Sequence, residues 1–394
     1  MLWASSRAGL ARLSTGLPPW NGGSPVAAIA GEIAQAGSDR VAAALDRELS
    51  RRAELFVTGL EAYRRHPYCR AAEEARVVWQ EGTTRLLDYG GAAGGRPVLV
   101  VPSLINRYYI LDLLPERSFV RFLRDAGLRP LVVDWGEPGE AERGFGLDDY
   151  IAGRLDGAAA AAIDLTGAPL AIIGYCMGGL LALALAQRRL AEVASIALLA
   201  TPWDFHAERP EQARLLGTVV DATADGDMLP LWVIQSLFLS LDPFLAERKF
   251  IRFAGLDPEG DAASGFVALE DWLNDGVPLA SGVARECAGA WYRDNDPGRG
   301  VWKVAGQKIE PPHLDRPALV VVPRRDRIVP PRSAEALGAA LPQATLLRPP
   351  LGHIGMMAAA AAPELVWKPI AEWLLNHVEK HKSFRNATKR PQRH

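Results

Sequence analysis

One cysteine set among glycines, with an aspartate and a histidine far downstream, are the residues of this 394-residue sequence best suited to chemistry. The stretch "AIIGYCMGGL", residues 171–180, places Cys176 between Gly174 and the pair Gly178–Gly179. A nucleophile flanked in this way belongs to a sharp strand-to-helix turn, where a neighbouring Cβ would clash. "PLAIIGY" supplies the strand and "LLALALAQRRL" the helix. The same residues also fit a cysteine that merely packs, because a free thiol is often just a small hydrophobe. In the turn, Cys176 stands at a helix N-terminus, whose dipole and free N–H groups favour a thiolate. The N–H of Met177 is then placed to hold an oxyanion. A second donor is expected from "PSLIN", with Leu104 and Ile105 as candidates.

A thiolate needs a base, and the base needs an orienting group. In a nucleophile-elbow fold they follow in chain order, acid and then histidine. Asp326 follows the strand pattern "ALVVVP", and His353 follows "ATLLRPP". Open α/β sheets put their sites at such carboxyl strand ends. Taken singly, Asp326 could be a turn carboxylate paired with Arg324, Arg325 or Arg327, and His353 a loop cap. Their order and placement together point to a Cys176–His353–Asp326 triad. His206, in "TPWDFH", is the best rival histidine. Asp134, in "VVDWG", is the rival acid, and its early position argues for a structural role or a cap contact. His313 precedes a strand, while His66, His377, His381 and His394 lie in helical or tail segments.

The elements that must position these groups have an α/β texture. Short apolar runs, "RPVLVVPSL", "LRPLVVDWG", "PLAIIGYC" and "ASIALLATP", alternate with helical patterns. Strand and helix at this spacing predict a mostly parallel sheet with helices on both faces, an α/β-hydrolase fold. From residue 203 to 310 the pattern turns helical and aromatic, with Trp203, Trp232, Trp272 and Trp291, and then strand texture returns. The expected organisation is an N-terminal helical extension (1–75), a first core part (76–202), a helical cap insertion (203–310), a second core part (311–378) and a basic tail (379–394).

The formal net charge of -2 argues against nucleic acid as a partner. Three widely spaced cysteines, Cys69, Cys176 and Cys287, do not read as a disulfide framework, so a reducing, cytoplasmic setting is expected. No metal motif and no resident cofactor are indicated. No apolar run is long enough to span a bilayer. The opening twenty residues carry Arg7, Arg12 and several serines but no acid. This composition is shared by transit peptides and, more commonly, by loose surface segments.

Several segments together resemble the polyhydroxyalkanoate synthases. "GYCMGG" fits their G-x-C-x-G-G box. "VPSLINRYYILDLLPERSFVRFLRDAG" resembles the segment after their first core strand. "VVDWGEP" followed by "LDDYI" is similar to the two-component, class III type, and "DRIVPP" and "GHIG" match the acid and histidine segments. The resemblance runs from about residue 75 to about residue 375, weakest in the insertion. Ser103 stands where many members have proline, and Arg107 where lysine is usual. The resemblance implies that Cys176 carries a growing acyl chain as a thioester, that His353 activates it, and that Asp326 orients His353 or helps it deprotonate the 3-hydroxyl of the incoming monomer. The substrate would be an (R)-3-hydroxyacyl-CoA, with CoA as the leaving group rather than a cofactor. It further implies a homodimer or a second synthase subunit, and association with a polyester granule. Two other readings stay open. One is a cysteine-triad hydrolase, either a thioesterase, an esterase or an enzyme like dienelactone hydrolases, which share "GYCMGG". The other is a non-catalytic granule-surface protein.

Overall fold

The run "RPVLVV" has β-branched side chains and no polar residue after Arg96, so it suits a strand covered on both faces. It forms β3 of an eight-stranded sheet, and its residues from Pro97 to Val101 are buried. The strands are β1 (Arg76–Glu81), β2 (Thr84–Asp88), β3 (Arg96–Val101), β4 (Leu128–Asp134), β5 (Leu170–Tyr175), β6 (Val193–Leu199), β7 (Ala318–Val321) and β8 (Ala344–Leu347). The computed structural model describes residues 25–71, 75–92, 94–223, 226 and 228–377. The opening segment and the basic tail, with His381 and His394, lie outside the described residues.

The spatial order is β1-β2-β4-β3-β5-β6-β7-β8. The hairpin β1–β2 joins β4 antiparallel, and every other pairing is parallel. The β2–β4 pairing is reinforced by ion pairs from Arg85 to Asp134 and from Arg129 to Asp88. Helices α1 (Phe119–Asp125), α2 (Asp156–Thr166), α3 (Met177–Arg188), α4 (Pro331–Ala340) and α5 (Lys368–His377) pack on the two faces. The fold is the α/β-hydrolase type that the sequence pattern predicts. Central α3 is almost wholly apolar and is buried from Met177 to Ala186, as expected of a helix covered on all sides.

The chain forms two compact units. One groups residues up to Tyr68 with Pro243–Val267, so the 203–310 segment contributes to both units. In this smaller unit the long helix Ser38–Arg65 packs against the helix Leu245–Phe253. Phe250 is the centre of that packing, with ring centroids 5.9 Å from Phe56, 5.7 Å from Tyr63 and 5.6 Å from Phe266. Gly59 allows the approach, since a Cβ there would lie 2.0 Å from the Phe250 carbonyl oxygen. Arg52 and Glu247 close the edge with an ion pair at 2.8 Å.

The larger unit holds the sheet and the rest of the insertion. Among the four tryptophans of that segment, Trp203, Trp272 and Trp291 are buried core residues and Trp232 is 66% exposed. Replacing Phe250 by alanine removes the central ring of the smaller unit and should cost about 3 kcal/mol or more. Urea unfolding followed by circular dichroism checks this as a lowered midpoint.

Candidate active site

Strand β5 formally ends at Tyr175, but its ladder continues one residue further, with the Cys176 N–H donating to Leu199 O at 2.8 Å. Cys176 then takes φ 56° and ψ −128°, a left-handed conformation rare for a residue with a Cβ. Holding it costs on the order of 1–3 kcal/mol, and such strain persists only where the surroundings fix it. Here the fixing elements are the ladder and α3, which starts at Met177. Its first turn is clasped against the neighbouring strand ends. A Cβ on Gly178 would lie 2.2 Å from Val101 O, and one on Gly179 would lie 1.8 Å from Thr201 Oγ1. The glycines of "GYCMGG" are therefore packing requirements of the turn that projects the thiol.

The acid and the histidine reach the same place by the same device. Beyond β7 and β8, backbone bonds continue from Val322 to Leu347, from Arg324 to Pro349 and from Arg325 to Leu351, at 2.8, 2.9 and 2.9 Å. These bonds bring the loops that carry Asp326 and His353 side by side. Asp326 Oδ1 accepts from the N–H groups of Ile328 and Val329 at 2.8 and 2.9 Å. This leaves Oδ2 to face His353 Nδ1 at 2.7 Å. Both side chains are buried. The imidazole also lies close enough to Cys176 for the sulfur to raise its pKa. Burial alone would lower the imidazole pKa, but a Cys176 thiolate charge and the hydrogen bonds to Asp326 and Cys176 outweigh it and push it up to about 10. The imidazole thus stands between the Asp326 carboxylate, to which it is hydrogen-bonded, and the Cys176 sulfur, whose charge acts on it.

Tyr175, inside the glycine box, is a feature that residue typing alone did not single out. Its ring lies 5.2 Å from the His353 ring, and its hydroxyl donates to His353 O at 3.2 Å. Burial and the charges of Cys176 and Asp326 raise this phenol well above its ordinary range, so it stays a neutral donor. The signal was its position directly before the nucleophile on a buried strand.

Met177 is buried at the first position of α3, and Leu104 is buried as well. The Ile105 N–H donates to Ser103 Oγ at 3.1 Å, so the residue that stands where proline is common in the synthases caps this turn. Arg107, the other departure, pairs with Glu137 and Asp275.

The remaining candidates have structural partners. Asp134 binds Arg85 at 2.5 Å and the Gly136 N–H at 3.0 Å. His206 Nε2 contacts Tyr292 O at 2.9 Å. His313 lies exposed beside Glu310, His377 stacks on Trp373, and His66 binds Pro258 O. Arg327 pairs with Asp242. No cluster of side chains suited to a metal ion occurs among the described residues, and no helix there is long and apolar enough to cross a membrane.

The His353 pairing has a pH signature. Its folded pKa of about 10 exceeds the ordinary 6.5, so its stabilisation is complete below the lower value and disappears as the pH rises through the upper one. Replacing His353 by glutamine should therefore lower the denaturant midpoint more at about pH 6 than at about pH 11. Parallel unfolding curves of both proteins at the two pH values check this.

Comparison with known proteins agrees with this fold. A family model described as the alpha/beta hydrolase fold matches residues 96–360. A poly(3-hydroxyalkanoate) polymerase subunit of Thiocystis violacea is 29% identical over 76% of this chain and 87% of its own. The corresponding subunit of Haloferax mediterranei is 28% identical over 77% of this chain. The chain spans 64% of that relative's length. The polymerase subunit of Cupriavidus necator is 30% identical over 80% of this chain and 57% of its own. Among solved structures, a monoacylglycerol lipase of Paleococcus ferrophilus superposes with a TM-score of 0.51 at 18% identity. It covers 75% of this chain and 99% of its own, a likeness of fold alone. With the elbow, the sheet order and the family match in agreement, the chain belongs to the α/β-hydrolase fold family, and poly(3-hydroxyalkanoate) polymerase subunits are among its curated relatives.

Proposed function

We propose that the protein is an acyltransferase that polymerises (R)-3-hydroxyacyl-CoA into polyhydroxyalkanoate through a thioester on Cys176, releasing CoA. The observation that carries this reading is the strained elbow cysteine Cys176 beside the hydrogen-bonded His353–Asp326 pair, in a chain whose curated relatives are poly(3-hydroxyalkanoate) polymerase subunits.

In the first step His353 already holds the proton of Cys176, and the thiolate sulfur attacks the thioester carbonyl carbon. The carbonyl oxygen becomes an oxyanion, held by the N–H of Met177 and by a second donor from the loop after β3. Because the Ile105 N–H is already engaged by Ser103, Leu104 is the favoured second donor. Collapse of the intermediate breaks the bond to the CoA sulfur, which leaves with the proton from His353. In the second step His353 accepts the proton of a 3-hydroxyl group, whose oxygen attacks the Cys176 thioester. A C–O bond forms, the C–S bond breaks, and the thiol is regenerated. Asp326 keeps Nε2 of His353 directed at the reacting atoms and balances the imidazolium. A thiol suits this task because its acyl adduct stays activated for an alcohol, whereas a serine ester would store less of that potential. Water must be kept out, or hydrolysis wins.

The reading includes a cytoplasmic location, a second copy or second synthase subunit, and a polyester granule as the surface served. The helix Leu231–Leu241 supports the last point. It has no charged residue, and Trp232, Phe238, Leu239 and Leu241 are exposed.

Incubation with 3-hydroxybutyryl-CoA should release CoA and deposit polymer, and Cys176→Ala should reduce both by about a thousandfold or more. CoA release accompanied only by free 3-hydroxybutyrate overturns the proposal in favour of a cysteine hydrolase. An unchanged rate in the Cys176→Ala protein overturns the site itself.

A further inference from the structure

The loop after β3 lies against the elbow, and one turn of the insertion holds its other end. Pro102, its first residue, fixes the near end. The Pro102 carbonyl accepts from Trp135 Nε1 at 3.0 Å, and a Cβ on Gly178 would lie 2.5 Å from the same oxygen. The loop therefore starts in contact with the first turn of α3, two residues beyond Cys176. Within it the Ile105 N–H is engaged by Ser103, whereas the Leu104 N–H donates to no partner among the described residues.

Residues 272–276 grip the far end. Asn106 forms an antiparallel bridge with Gly276. The Arg107 carbonyl accepts from Trp272 Nε1 at 2.8 Å. Tyr109 donates its hydroxyl to Asp275 Oδ2 at 2.8 Å, and Arg107 Nε donates to Asp275 Oδ1 at 3.4 Å. Tyr109 is buried, and the Arg70 guanidinium covers its ring at 4.2 Å, so the phenol is held in one place. Burial and the Asp275 carboxylate raise it above its ordinary range, and it stays a donor. The Asp275 side chain is 48% exposed, so burial does not impose its two bonds. What they fix is the loop.

We propose that Asp275 is a positioning residue for the oxyanion of the Cys176 reaction: by holding Tyr109 and Arg107 it fixes the loop that presents the Leu104 N–H. The inference rests on the acyltransfer reading above, in which Leu104 is the second oxyanion donor. Such a donor acts fully only when it is fixed before the charge develops, and a small displacement weakens it steeply.

The test separates acylation of Cys176, which passes through an oxyanion, from its alkylation by iodoacetamide, which does not. Tyr109→Phe keeps the ring under Arg70 and removes the bond to Asp275. Tyr109→Phe and Asp275→Ala should each slow acylation by 3-hydroxybutyryl-CoA about tenfold, less than the hundredfold or more that outright loss of an oxyanion donor costs. Alkylation should keep the wild-type rate in both. Asp275→Asn still offers Tyr109 an acceptor and should recover most of the acylation rate. The double variant should be no slower than Asp275→Ala alone, because both changes break the same bond. Equal losses in acylation and alkylation, or no loss of acylation, overturn the role of Asp275. The ester p-nitrophenyl butyrate, which acylates through the same kind of oxyanion, is run in parallel. Acylation of the wild-type protein by this ester but not by 3-hydroxybutyryl-CoA overturns the acyltransfer reading, and the pattern of the variants with the ester then decides the role of Asp275.

Discussion

The site depends on a hydrogen-bond ladder that continues past the formal ends of four parallel strands. Cys176 bonds to Leu199, Ala200 to Val321, Val322 to Leu347, and Arg325 to Leu351. Each bond transfers the register of the buried sheet to the next loop, so three side chains from separated parts of the chain meet without a dedicated scaffold. The glycines of the elbow follow from this constraint. With the strand ends fixed, the first turn of α3 must lie against Val101 and Thr201, and only a residue without a Cβ fits there. Strain at Cys176 is the consequence, and the thiol is projected away from the packed side of the turn.

The charge distribution follows from the same placement. A buried imidazolium is costly unless paired, because desolvation penalises the charged form. His353 has an acceptor on each side, Asp326 and Cys176, and the balance favours its charged state. Asp326 avoids the cost of an unpaired carboxylate by accepting two backbone N–H groups on one oxygen and His353 on the other. Tyr175, raised by burial and by the charges of Cys176 and Asp326, stays neutral beside His353. The surroundings therefore supply donors without adding a competing base.

Much of this was legible in the sequence. The apolar runs of β3, β5, β6 and β7 are nearly continuous because both faces are covered, which makes them plain in any window. The order Cys176, Asp326, His353 then follows from which strand each residue terminates. The hairpin β1–β2 was not legible, because Arg76–Glu81 is largely exposed and interleaves Arg, Gln and Glu with its apolar residues. The grouping of Pro243–Val267 with the N-terminal helices depends on contacts made across roughly two hundred residues, such as Phe56 with Phe250. No local pattern encodes them. His206 stood out as a histidine, but its contact with the Tyr292 carbonyl involves a backbone group that residue types do not reveal.

The central claim is that Cys176 Sγ carries the acyl group while His353 and Asp326 manage the proton. The most direct measurement is mass spectrometry of the intact protein, followed by peptide mapping, after a brief reaction with one equivalent of 3-hydroxybutyryl-CoA and an acid quench. The account predicts a single hydroxybutyryl adduct on the peptide containing Cys176, removed by neutral hydroxylamine as a thioester should be. An adduct on another residue, or one that persists in the Cys176→Ala protein, would contradict it.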